Sequence, residues 1–161
     1  MEIKIAKTKL IETPQILIVN KSNKCLNILS KDLQKQINVL CKKLNYVGDF
    51  GKFLTINLNN EIFILAGLGD NENKNLEYEN FGGLLLNFLK NSNFKKVQLE
   101  IDLIKKELLS HFFKGLMLSD YSFKKYFSSN KNTIKKINFI IISKLNINFK
   151  KIIKDEKQLV E

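Results

Sequence analysis

Two short runs limit this chain's fold more than any other feature. Ile16-Leu17-Ile18-Val19 and Phe139-Ile140-Ile141-Ile142 are apolar at every position. A strand that alternates polar and apolar residues can leave one face in water. A strand apolar on both sides has to be covered on both, as happens inside a sheet flanked by helices. The other long apolar stretch, Ile62 to Leu68, is broken by Gly67, and none approaches the ~20 residues needed to cross a bilayer. The runs therefore predict buried strands of an α/β protein and no membrane-spanning helix.

The rest of the chain fits around them. Glu2 to Ala6 alternates, with Ile3 and Ile5 on one face, which suits a half-buried strand. Ser30 is placed to cap a helix with a stripe of Leu33, Ile37, Leu40 and Leu44. Gly48 and Gly51 bracket a turn, after which Leu54, Ile56 and Leu58 face away from Thr55 and Asn57. Asn59-Asn60, which tolerate positive φ, join that strand to Glu61–Ala66 as a tight hairpin. A polar loop from Gly69 to Asn75 leads to a helical stripe of Phe81, Leu84, Leu85, Phe88 and Leu89, stopped by Asn91, Ser92 and Asn93. Val97, Leu99 and Ile101 alternate as a strand, and Asp102 can cap a helix carrying Leu108, Leu109, Phe112, Phe113 and Leu116. Lys136 to Ser143 is the last strand.

The predicted class is α/β, with a mixed β-sheet flanked by helices on both faces, and 161 residues suit one domain with no repeat or flexible linker. Phe149, Ile152, Ile153, Leu159 and Val160 then recur at mostly helical spacing. The chain ends at Glu161 without a glycine cap, and with a negative charge where the helix dipole disfavours one. The expected division is a domain over 1–148 and the start of a truncated linking helix over 149–161, the whole being the front portion of a longer polypeptide.

Composition narrows the functional classes. The formal net charge is +11 with a pI near 9.6, yet all 27 basic residues are lysine, and Asn and Ile number 20 each. Lys, Asn, Ile and Phe are the residues of adenine- and thymine-rich codons, so the charge has an explanation that needs no polyanionic partner. The arginine fork best suited to phosphate and guanine is missing, and nucleic-acid binding ranks below other readings. The first twelve residues, Met1 to Glu12, lack the continuous apolar region of a secretory signal, which predicts a cytoplasmic chain. Cys25, Cys41 and the single histidine cannot supply a four-ligand structural zinc site, and both cysteines are expected to stay reduced.

The most site-like stretch is Ala66-Gly67-Leu68-Gly69-Asp70, followed by Asn71. It comes after an apolar strand and before a helix, where backbone amides can approach a phosphate. Gly67, Gly69, Asp70 and Asn71 are the weak candidates for ligand binding. Glu72 stands where the dinucleotide fingerprint needs its third glycine, and Asp70 and Glu72 would repel an anion, so a plain turn is the preferred reading. His111 reads as a helix-flank residue with no nucleophile elbow to serve, and Glu77 and Glu79 diverge on a helix and cannot share a proton or metal. The rings in Tyr121-Ser122-Phe123-Lys124-Lys125-Tyr126-Phe127 read as anchors for a helix end and the loop after it rather than as a base-stacking platform.

Gly115-Leu116-Met117-Leu118-Ser119-Asp120-Tyr121-Ser122-Phe123-Lys124-Lys125-Tyr126 resembles a segment of the leucyl (cytosol) aminopeptidases, and Phe63-Ile64-Leu65-Ala66-Gly67-Leu68-Gly69 resembles that family's upstream strand and Gly-x-Gly turn. The resemblance implies a macro-domain-like three-layer sandwich, joined by a long helix to a C-terminal peptidase domain that binds two divalent metals, usually zinc. It also implies a hexameric full-length enzyme in which this domain is a noncatalytic accessory and assembly element. The family's Asn-Thr-Asp-Ala-Glu-Gly-Arg-Leu signature cannot occur in a chain with no arginine. No catalytic or metal-ligating residue is therefore carried over, and no cofactor is expected in this segment. Two alternatives remain: a stand-alone macro-like module binding ADP-ribose at the Gly67–Asn71 turn, and a nonspecific DNA-binding domain.

Overall fold

The computed structural model describes residues 1–10, 12–21, 29–70, 75–101, 104–127, 135–143 and 148–160. The elements in chain order are β1 (Glu2–Ala6), β2 (Gln15–Asn20), α1 (Lys31–Lys43), β3 (Phe53–Leu58), β4 (Glu61–Gly69), α2 (Asn75–Asn91), β5 (Lys96–Glu100), α3 (Leu109–Phe127, after a 3-10 turn at Lys106–Leu108), β6 (Asn138–Ile142) and α4 (Phe149–Val160). Six strands form one sheet in the order β1-β6-β5-β2-β4-β3. Every neighbouring pair is parallel except β3 with β4, which is the predicted hairpin. Asn59 and Asn60 turn it at φ 51° and 63°.

β2 lies inside the sheet for the reason its sequence suggests. Ile16 and Ile18 point into a core shared with α2 and α3, where Phe81, Leu85, Phe112 and Phe113 are fully buried. Leu17 and Val19 point the other way, under Ile37 and Cys41 of α1. Burying each such side chain contributes about 1.5–3 kcal/mol, so the strand is held from both faces. Ile152 and Ile153 of α4 pack on the α2–α3 side. Ser30 caps α1 as expected, accepting a hydrogen bond from the Leu33 amide.

Several expected details are corrected. Ile5 is on the edge strand and 43% exposed, while Ile3 packs on the core. In α1 Leu44 is the exposed C-cap and Cys41 completes the buried stripe. In α2 Leu84 faces solvent, and Tyr78, Gly82 and Leu86 join the buried side. α3 runs on through Phe127, over a span expected to hold a helix end and the loop after it. Asp102 and Cys25 lie outside the described residues.

β5 departs furthest from expectation, because its polar face is as buried as its apolar one. Gln98 is 2% exposed, and the segment before β2 covers it. Its carboxamide oxygen accepts from the Leu10 amide at 2.6 Å, and its Nε2 donates to the Leu10 and Thr13 carbonyls at 2.7 and 2.8 Å. Beside it, buried Gln15 donates to Glu100 at 3.2 Å. A carboxamide matches a peptide group in donors and acceptors, so Gln98 serves as a side-chain strand partner for the connection that crosses it.

Candidate functional site

Gly67, Gly69 and Asp70 lie at the carboxyl end of β4, beside the end of β2, where ligands gather in open α/β sheets. The expected turn is not there, since β4 continues through Gly69. The segment Gly48 to Lys52 folds against it and uses its backbone groups. The Gly67 amide donates to the Lys52 carbonyl at 2.8 Å, the Gly51 amide to the Gly67 carbonyl at 2.9 Å, and the Gly69 amide to the Gly48 carbonyl at 2.9 Å. A Cβ at Gly67 would lie 2.0 Å from the Asp49 carbonyl oxygen. The Gly-x-Gly pattern thus records a close approach of two backbones, and the amides a phosphate would need already have partners.

The charges here also disfavour an anion. Lys21 Nζ lies 2.9 Å from Asp70 and 3.6 Å from Asp49, so two carboxylates surround one ammonium. The hydrogen bond to Asp70, followed by the charges of Asp70 and Asp49, raises the Lys21 pKa above the ordinary lysine value. All three side chains are about half exposed or more, and ion pairs of this kind contribute little to stability. Asn71 lies outside the described residues.

The other candidates do not converge on a reactive centre. Glu79 pairs with Lys114 at 3.0 Å, which joins α2 to α3. His111 is half-buried on α3, one turn before Lys114. Burial pushes the Cys41 thiol pKa up, so it remains an unreactive core group. Among the described residues no group of three or more His, Cys, Asp or Glu side chains could hold a metal ion. The lysine pairs Lys42-Lys43, Lys95-Lys96, Lys105-Lys106, Lys124-Lys125, Lys135-Lys136 and Lys150-Lys151 fall on α1, at the start of β5, before α3, within α3, before β6 and on α4, not on one element.

Sequence reasoning missed a buried ionic cluster between α2 and α3. Asp120 is 7% exposed and Lys90 8%; Lys90 Nζ lies 3.2 Å from Asp120 Oδ1, and the amino group of Met1 lies 2.9 Å from Asp120 Oδ2. A signal existed: Lys90 follows Leu86 by four residues and Asp120 follows Leu116 by four, so opposite charges sit on two apolar stripes. Along the same helix pair Gly82 and Gly115 bring the backbones together, and a shallow groove of about 450 Å³ runs past Gly83, Asn87 and Ser119.

No protein-family model matches the chain. It is 30% identical over 139 residues to the probable cytosol aminopeptidase of Clostridium perfringens, an alignment covering 81% of this chain and 28% of that protein. A tomato leucine aminopeptidase mutant matches in structure at a TM-score of 0.73 and 15% identity, over 99% of this chain and 36% of that one. This is the fold of a leucyl aminopeptidase N-terminal domain. The cytosol aminopeptidase from Coxiella burnetii shares it at a TM-score of 0.57 and 16% identity, over 94% of this chain and 30% of that one. The chain thus spans 28 to 36% of the length of these relatives. In this N-terminal domain fold the resembling segment Gly115–Tyr126 forms the middle and end of α3, with Gly115 at the helix contact and Asp120 in the ionic cluster.

Proposed function

We propose that this chain is the noncatalytic N-terminal accessory domain of a cytoplasmic leucyl aminopeptidase, packing on the peptidase domain and contributing to assembly of a hexamer. The observation that carries the reading is the asymmetry of the match: nearly all of this chain is accounted for by 36% of the tomato enzyme. The family's two divalent metals and the hydrolysis of N-terminal residues, leucine above all, then belong to the peptidase domain. The macro-domain-like character of the sandwich is part of the same reading.

A nucleotide-binding module is the alternative to test, because macro-like domains share the architecture. The engaged amides of Gly67 and Gly69 and the acidic surroundings of Lys21 argue against it. Calorimetric titration with ADP-ribose should give no saturable heat. Saturable one-to-one binding would replace the accessory-domain reading with a ligand-binding one.

A further inference from the structure

We infer that the outer edge of β3 is a pairing surface for a second copy of this chain, the two β3 strands running antiparallel about a two-fold axis through Thr55. β3 ends the sheet, with β4 as its strand neighbour. The Gly67 amide bonds to the Lys52 carbonyl, so along this antiparallel ladder the backbone groups of Lys52, Leu54, Ile56 and Leu58 turn toward β4. Those of Phe53, Thr55 and Asn57 therefore turn outward. Among the described residues no other segment pairs with them. A row of outward amides and carbonyls is the surface that an added strand needs.

The two edges of the sheet differ in protection. β1 carries Glu2 and Lys4, with the Lys4 side chain 70% exposed, and such charges discourage an added strand. β3 reads Phe-Leu-Thr-Ile-Asn-Leu, with no charge, no proline and an unbroken register to β4. That makes the edge self-complementary. On a two-fold axis a charge would meet its own sign, and this strand has none to meet. Centring the axis on Thr55 sets Thr55 against Thr55 and Phe53 of each chain against Asn57 of the other, for about six backbone hydrogen bonds. Centring it on Ile56 would leave about four. Thr55 and Asn57 are exposed, and Thr opposite Thr is a favourable cross-strand pair. On the other face Leu54 of each chain meets Ile56 of the other. It reaches diagonally toward Leu58, where an apolar groove of about 330 Å³ opens between β3 and the half-exposed Val39 of α1.

One short strand and one groove are a small contact, so the dimer should be reversible, with a Kd on the order of 100 μM. Sedimentation of the 161-residue chain from about 10 μM to about 1 mM should show the mass rising from 18.7 kDa toward twice that value. Added salt should favour the dimer by screening the repulsion between two chains of net charge +11. Thr55→Lys puts like charges on the axis at an exposed position, and should weaken the dimer at least about tenfold while leaving the melting temperature unchanged. Thr55→Cys reads the register without weakening anything. Opposed residues of a hydrogen-bonded pair lie about 5.5 Å apart at Cα, within disulfide range. Mild oxidation should therefore give a covalent dimer that peptide mapping joins at position 55 of both chains. A chain that stays monomeric at the highest concentration, a dimer indifferent to Thr55→Lys, or no link between the two introduced thiols would overturn the proposal.

Discussion

Replacing Gly115 with alanine should destabilise the chain by about 3 kcal/mol or more, lowering its melting temperature by roughly 6–12 °C. A Cβ on Gly115 would fall 1.8 Å from the Glu79 carbonyl oxygen and 2.7 Å from its carbon. Both are backbone atoms, so no rotamer change relieves the overlap and α3 has to move off α2. Gly82 poses the same problem from the other helix, its Cβ falling 2.2 Å from the Phe112 carbonyl oxygen. Helical glycine normally costs about 1 kcal/mol relative to alanine, and the close approach offsets that cost at these two positions. Gly83 is the internal control: its nearest neighbour would be 3.7 Å from the new Cβ. Gly83→Ala should leave stability unchanged or raise it by up to about 1 kcal/mol. Thermal unfolding followed by circular dichroism separates the pair, and equal melting of the Gly115 and Gly83 variants would contradict the close-packed seam.

Asp120→Ala should cost about 3–5 kcal/mol, because it leaves the Lys90 ammonium and the Met1 amine in a largely buried site without their shared carboxylate. The size of that loss is the cost of stranding charge and does not measure how much the ion pair contributes to folding. The double change Lys90→Met with Asp120→Leu should therefore be milder than Asp120→Ala alone, since it removes one stranded cation and fills the site with apolar volume. Chemical denaturation of both variants checks the order. A double variant less stable than the single one would mean that the polar cluster stabilises the fold more than this argument allows.

The architecture was readable because the strongest signals in the chain are ones that tertiary context rarely overrides. Four consecutive aliphatics at Ile16–Val19 require cover on two faces, and both faces are covered. Two asparagines between alternating strands require a turn at positive φ, and both adopt it. What could not be read depends on contacts far apart in sequence. Gln98 looks like the solvent side of an alternating strand until Leu10 and Thr13 are laid over it. Gly67 and Gly69 read as a turn, with a phosphate loop as the weaker reading, because local sequence shows a missing side chain and not the reason for its absence. The reason is the backbone of Gly48 and Asp49, about twenty residues earlier. Asp120 and Lys90 were overlooked since a charge on an apolar stripe is ambiguous until its partner is seen, and part of that partner is the first atom of the chain.

On the proposed reading this domain carries no peptidase chemistry of its own. The most direct measurement is release of chromophore from a leucyl amide by the purified 161-residue chain, with zinc or manganese added. The expected rate is the background of metal and buffer alone at every metal concentration. Turnover that scales with protein and requires metal would contradict it, by placing a working metal centre among side chains that offer no ligand cluster among the described residues.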